Sequence, residues 1–118
     1  GVDAIELDVH RARDGPAVVI HDPTLQRTTA GTGAVADATS DELARFNVPT
    51  LKSVLERHRE MPFMIELKQY SPEMVRAVAR AVDETSAGER VRALLTVTFT
   101  VLPAAYVPSS SVAVALIV

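Results

Sequence analysis

The sequence predicts an α/β domain with a largely parallel sheet, in the pattern of a partial TIM (β/α)8 barrel. Short apolar strands alternate with segments of helical spacing from residue 51 onward, which is the rhythm of strand–helix–strand units. Two strands put charge on one face and apolar groups on the other: Glu6 and Asp8 on the first, Glu66 and Lys68 on a later one. Barrel strands do this when they aim chemistry inward and bury the opposite face under helices. The length, 118 residues, is about half of the ~250 that such a barrel takes, so the barrel is partial.

Composition sets bounds on function. Residues 1–118 suffice for one domain, and 47% of them are hydrophobic, enough to build a core. A formal net charge of −3 offers no basic footprint for nucleic acid. No apolar run approaches the ~20 residues of a membrane-spanning helix, and the apolar stretch 111–118 is only strand length. The absence of cysteine excludes disulfides and thiolate metal sites. The chain opens on Gly1 within an apolar segment, so Gly1 is not expected to be a natural start. The compartment is left open.

Residues 4–9 alternate, with Ile5, Leu7 and Val9 on one face and Glu6, Asp8 and His10 on the other. Residues 17–20 form a short, continuously apolar run that reads as a strand buried on both faces. Asp14-Gly15 between them is a hairpin signal, and too few residues intervene for a parallel crossover. A two-residue loop there sets Asp8 opposite His21. Residues 24–38 follow as a loop rich in Thr, Gly and Asp, of the length that usually carries function. Thr39-Ser40-Asp41-Glu42 reads as a capping box that opens a short helix through Phe46. Thr50 caps the next helix, with Leu51, Val54 and Leu55 on its apolar side. Residues 63–68 form a strand. Ser71-Pro72 starts a helix whose apolar side is Met74, Val75, Val78, Ala79 and Val82, and Gly88 is expected to end it. Strands over 93–99 and 112–118 flank a proline-broken stretch.

Two carboxylates two apart on a strand project side by side. With Glu66 from a neighbouring strand, Glu6 and Asp8 form a candidate all-oxygen metal site, suited to Mg²⁺ or Ca²⁺. His21 is a candidate general acid or base because imidazole titrates near neutrality. Lys68 can offset charge on a phosphoryl oxygen. Asp22 either orients a neighbour or caps, and Arg27 either serves structure or reaches a phosphate. His10 lies beyond the carboxylates and is assigned to solvent, and His58 to the surface of a charged helix end. Gly31-Thr32-Gly33 reads equally well as a phosphate cradle or a flexible loop. No Walker loop, nucleophile elbow or dinucleotide fingerprint occurs.

Glu6-Leu7-Asp8-Val9, Arg13-Asp14-Gly15, Val19-Ile20-His21-Asp22-Pro23-Thr24-Leu25, Arg27-Thr28-Thr29, Gly31-Thr32-Gly33, Pro49-Thr50-Leu51 and Ile65-Glu66-Leu67-Lys68 together resemble the glycerophosphodiester phosphodiesterase family. The likeness runs over residues 1–70. It implies a phospholipase-C-like TIM barrel that hydrolyses glycerophosphodiesters to an alcohol and glycerol 3-phosphate, in lipid and glycerol metabolism. It also implies a divalent cation held by carboxylates matching Glu6, Asp8 and Glu66, a lysine matching Lys68 near the phosphate, and two catalytic histidines, one matching His21. The other histidine belongs, in the family, to a His-Arg-Gly segment on the first barrel strand, which is expected to precede Gly1, and the closing strands are expected to be absent. The isolated chain is therefore expected to fold poorly and to hydrolyse little. A non-catalytic barrel remnant, or a related phospholipase of the D or C type, are the alternative readings.

Overall fold

The computed structural model describes residues 4–68, 71–96 and 113–117, the last two strands by their backbone. The predicted segment 97–112, with the outer ends of the strands beside it, lies outside the described residues. Five strands form one sheet in the order β2-β1-β3-β4-β5. They are β1 (Ile5–Arg11), β2 (Ala17–Val19), β3 (Phe63–Leu67), β4 (Val91–Thr96) and β5 (Ala113–Ile117). The helices are α1 (Ser40–Ala44), α2 (Leu51–Arg57) and α3 (Pro72–Glu84). β1 and β2 pair antiparallel, while β1–β3, β3–β4 and β4–β5 are parallel. The short link allows only a hairpin at β1–β2, and the α3 crossover permits the parallel β3–β4 pair.

The hairpin register differs from the expected one. Val9 lies opposite Val19, so the ladder sets Asp8 against Ile20, whose N–H donates to the Asp8 carbonyl at 3.1 Å. The loop holds three residues, Arg13, Asp14 and Gly15: Gly15 N–H donates to the Ala12 carbonyl (3.0 Å), and Ala12 N–H to the Pro16 carbonyl (2.9 Å). Gly15 sits at φ +114°, the positive value that closes a three-residue hairpin. Asp14 instead spends its carboxylate on Ser40, accepting from its N–H at 2.9 Å and its hydroxyl at 2.7 Å. Those bonds, the hydroxyl's foremost, hold the Asp14 carboxyl below its ordinary range. They also pin the hairpin tip to the start of α1.

One face of the sheet is closed by α2 and α3. Val9, Phe63, Ile65 and Leu67 bury there against Leu51, Leu55, Met74, Val75, Val78 and Val82. Each such side chain removed from water contributes roughly 1.5–3 kcal/mol, which outweighs the weak propensity of helices as short as α2. The expected caps form: Thr39 and Glu42 make the capping box of α1, and Ser71 with Pro72 opens α3. The end of α3 comes earlier than Gly88. Ser86 takes the left-handed conformation at φ 56°, and Ala87 N–H reaches back to the Val82 carbonyl at 3.0 Å. Arg90 anchors the far end of α2, donating to the carbonyls of Leu55, His58 and Met61 at 2.8, 3.0 and 3.0 Å.

A second, smaller core sits on the other face, along the hairpin from its turn to Ile20. Ala12, Val18, Ile20, Leu25, Val35, Leu43 and Val48 compose it. The loop over residues 24–38 is thus folded: Thr24 bridges Ala34, and Leu25 N–H donates to the Gly33 carbonyl at 3.0 Å. Strand β2, packed from both sides as its apolar run predicts, is covered at its outer edge by Val19 N–H to the Pro49 carbonyl (2.9 Å).

Candidate functional site

Strand parity builds the charged cluster. β1 and β3 pair with Glu6 beside Met64 and Asp8 beside Glu66, so the three carboxylates share the face that α2 and α3 leave uncovered. One oxygen from each of Glu6, Asp8 and Glu66 lies within 4.8 Å of the others. Lys68, one residue past β3 and of the same parity, places Nζ 3.3 Å from Asp8 Oδ1 and 3.4 Å from Glu66 Oε2. Burial pulls the Lys68 ammonium down, but Asp8 and then Glu66 outweigh it, so its pKa lies above the ordinary lysine value.

Among the described residues, the three carboxylates meet the Lys68 ammonium, which pairs with two of them. Asp8 Oδ1 is shielded from solvent, with the Lys68 ammonium 3.3 Å away as an ion-pair contact. A shielded carboxylate oxygen so placed leaves a coordination valence to fill. Hard oxygen donors at this spacing fit a divalent cation such as Mg²⁺ or Ca²⁺. Among the described residues, a cleft of about 410 Å³ runs along His10 and Arg11 and another of about 660 Å³ along Arg27 and Arg45, neither lined by the three carboxylates. The carboxylates stand instead on an open sheet face, beside the 42% exposed Met64.

His21 follows β2 by two residues and does not pair with Asp8; the three-residue hairpin moves it one place beyond the expected register. Its side chain is exposed, with Nδ1 2.8 Å from Asp22 Oδ1. Asp22 is gripped in turn by Arg27, through Nε to Oδ2 at 2.6 Å and Nη2 to Oδ1 at 2.8 Å. Arg27, and after it His21, hold the Asp22 carboxyl well below the usual carboxylate range. Arg27 thus pairs with Asp22 through both of that carboxylate's oxygens.

His10 contradicts its assignment to solvent. It is 8% exposed, and Nε2 donates to the His21 carbonyl at 2.9 Å. The second core folds back over that end of β1 and buries it. His58 is exposed, as expected. The two loop glycines answer to local demands, Gly31 to close packing and Gly33 to its backbone conformation. A Cβ on Gly31 would meet the Phe46 ring at 3.1 Å and Leu25 at 3.2 Å, and Gly33 sits at φ +97°. The sequence names Asp22 and Arg27 without pairing them and places His10 in solvent. The adjacency of His21 and Asp22 was the only available signal for their pairing.

The glycerophosphoryl diester phosphodiesterase family model matches residues 1–102. A glycerophosphodiester phosphodiesterase of Caldanaerobacter subterraneus is 34% identical over 109 residues, covering 77% of this chain and 45% of that protein. The crystal structure of such an enzyme from Agrobacterium tumefaciens superposes with a TM-score of 0.68 at 36% identity, over 80% of this chain and 45% of the other. The Thermotoga maritima structure gives 0.68 at 29% identity, over 80% and 42%. The chain spans less than half the length of each of these proteins. Among the described residues, no helix is long and apolar enough to cross a membrane.

Proposed function

The chain belongs to the glycerophosphoryl diester phosphodiesterase family, and on that premise we propose that the whole protein hydrolyses glycerophosphodiesters to an alcohol and glycerol 3-phosphate with the aid of a divalent cation. Residues 1–118 are then the glycerophosphodiester phosphodiesterase-like domain in part, and their sheet is an arc of a TIM (β/α)8 barrel whose inward face carries the chemistry. The observation that carries the reading is the meeting of Glu6, Asp8 and Glu66 within 4.8 Å on that face.

Glu6, Asp8 and Glu66 would hold the cation, Mg²⁺ or Ca²⁺. Such an ion supplies Lewis-acid polarisation of phosphoryl oxygens. Lys68, fixed between Asp8 and Glu66, adds a point charge beside the same place, so negative charge that grows on the phosphoryl group is offset by groups already oriented. His21, exposed and steadied by Asp22, is the proton carrier for the nucleophile or the leaving alcohol. The family resemblance implies a second histidine in a His-Arg-Gly segment, which residues 1–118 do not include. The substrate class places the reaction in lipid and glycerol metabolism.

The test is hydrolysis of glycerophosphocholine by the intact protein, with product analysis. Release of glycerol 3-phosphate that stops with chelator and with Glu66→Gln is expected. Turnover indifferent to both would overturn the reading, and a cyclic phosphate product would point to phospholipase-like chemistry instead.

A further inference from the structure

We infer that Arg27, acting through Asp22, is a positioning residue that fixes His21 in the tautomer with the proton on Nδ1 and the Nε2 lone pair presented outward. The inference rests on His21 being the proton carrier of the proposed reaction, but its physical content can be tested without turnover.

The argument begins with proton inventory. Arg27 is always charged and donates two N–H bonds to the two oxygens of Asp22, at 2.6 and 2.8 Å. A carboxylate gripped this way is an acceptor only. Asp22 Oδ1 also lies 2.8 Å from His21 Nδ1. The proton of that contact therefore resides on Nδ1, which leaves Nε2 as the nitrogen that takes up and releases protons. A histidine side chain free in water favours the opposite arrangement, with its proton on Nε2, so the protein has to impose this one.

Two further contacts, and the burial of Asp22, explain how it is imposed. His10 Nε2 donates to the His21 carbonyl at 2.9 Å and fixes the backbone from beneath. Asp22 is 17% exposed, while the Arg27 side chain is 64% exposed and approaches it from the solvent side. The turn that brings Arg27 back onto Asp22 is tied by Thr29, whose hydroxyl donates to the Leu25 carbonyl at 2.7 Å, with the Leu25 side chain buried in the second core. The folded loop thus delivers a guanidinium to a carboxylate that faces an imidazole. A plain surface staple between Arg27 and Asp22 would not set the tautomer of a neighbouring ring.

The test is long-range ¹H–¹⁵N NMR of histidine-labelled intact protein, with His21 assigned by its loss in His21→Gln. In its neutral form, wild-type His21 is expected to show the Nδ1-protonated pattern. Asp22→Ala should return it to the Nε2-protonated pattern of a free histidine side chain. Arg27→Ala should give a mixture of tautomers, and Arg27→Lys, which keeps the charge without the two-pronged grip, a smaller shift in the same direction. The conservative variant keeps the test decisive where Arg27→Ala disturbs the loop. An Nε2-protonated wild-type ring, or a tautomer pattern unmoved by both Arg27 variants, would overturn the inference. A protein with the expected spectrum and no diesterase activity would instead refute the proposed reaction alone.

Discussion

Truncating Leu25 to alanine would isolate the contribution of the smaller core. Leu25 is 2% exposed and packs with Ala12, Val18, Ile20, Val35, Leu43 and Val48. Its neighbours are anchored by β1, β2 and α1, so they cannot collapse far into the space it leaves. A cost of about 3 kcal/mol is expected for such a substitution, which is about a hundredfold in a local opening equilibrium. The reporters are the amides of Thr29 and Val35, which donate to the Leu25 and Pro23 carbonyls at 3.0 and 2.9 Å. Hydrogen exchange of the intact protein should show their protection falling roughly a hundredfold, with Ile65 and Leu67 of the larger core changing far less. The Asp22–Arg27 contact should loosen with them, since Arg27 rides on the same loop. Unchanged protection of Thr29 and Val35, or an equal fall at Ile65, would refute the idea of a separable core that seats the His21 loop.

Arg27 and His21 depress the Asp22 carboxyl below its unfolded value of about 3.9. Its stabilisation is therefore complete above that pH and lost as the pH falls through the folded-state pKa. Asp22→Asn should melt below the wild type near neutrality and converge with it in strong acid; parallel melting curves across that range would contradict this. Ser86 pays for a left-handed conformation at φ 56°. Ser86→Gly should raise unfolding stability by about 1 kcal/mol in urea titrations, and no gain would mean the strain is relieved elsewhere. Lys68→Met removes an ammonium that sits 3.3 and 3.4 Å from the candidate ligand oxygens. Calorimetry should show tighter divalent-cation binding while hydrolysis falls; weaker binding would show that Lys68 supports the ion rather than competing with it.

Much of this was legible because it depends on local periodicity. The parity of residues 4–9 and of 63–68 places Glu6 with Asp8, and Glu66 with Lys68, on one face of each strand, and β1–β3 pairing brings them together. Capping chemistry located the starts of α1 and α3. The hairpin register was not legible, since Asp14-Gly15 suits a two- or a three-residue loop and only the positive φ of Gly15 at the third loop position decides between them. Burial of His10 and the commitment of Arg27 to Asp22 both follow from the loop over residues 24–38 folding onto β1. That is a long-range packing event which polar, glycine-rich composition conceals. Ser86 took the left-handed position expected of a glycine because the Val82–Ala87 bond of the helix end was worth more than its local strain.

The central claim is that Glu6, Asp8 and Glu66 form a cation site, and calorimetric titration of the intact protein with Mg²⁺ and Ca²⁺ tests it most directly. Removing one carboxylate from a divalent ion forfeits at least about 2 kcal/mol, taking ~1 kcal/mol per unit charge pair at 4 Å in water, or about thirtyfold in affinity. The wild type should bind one ion per chain, with Glu66→Gln at least that much weaker. A wild-type protein that binds neither ion, or a Glu66→Gln variant that binds as tightly, would contradict the account.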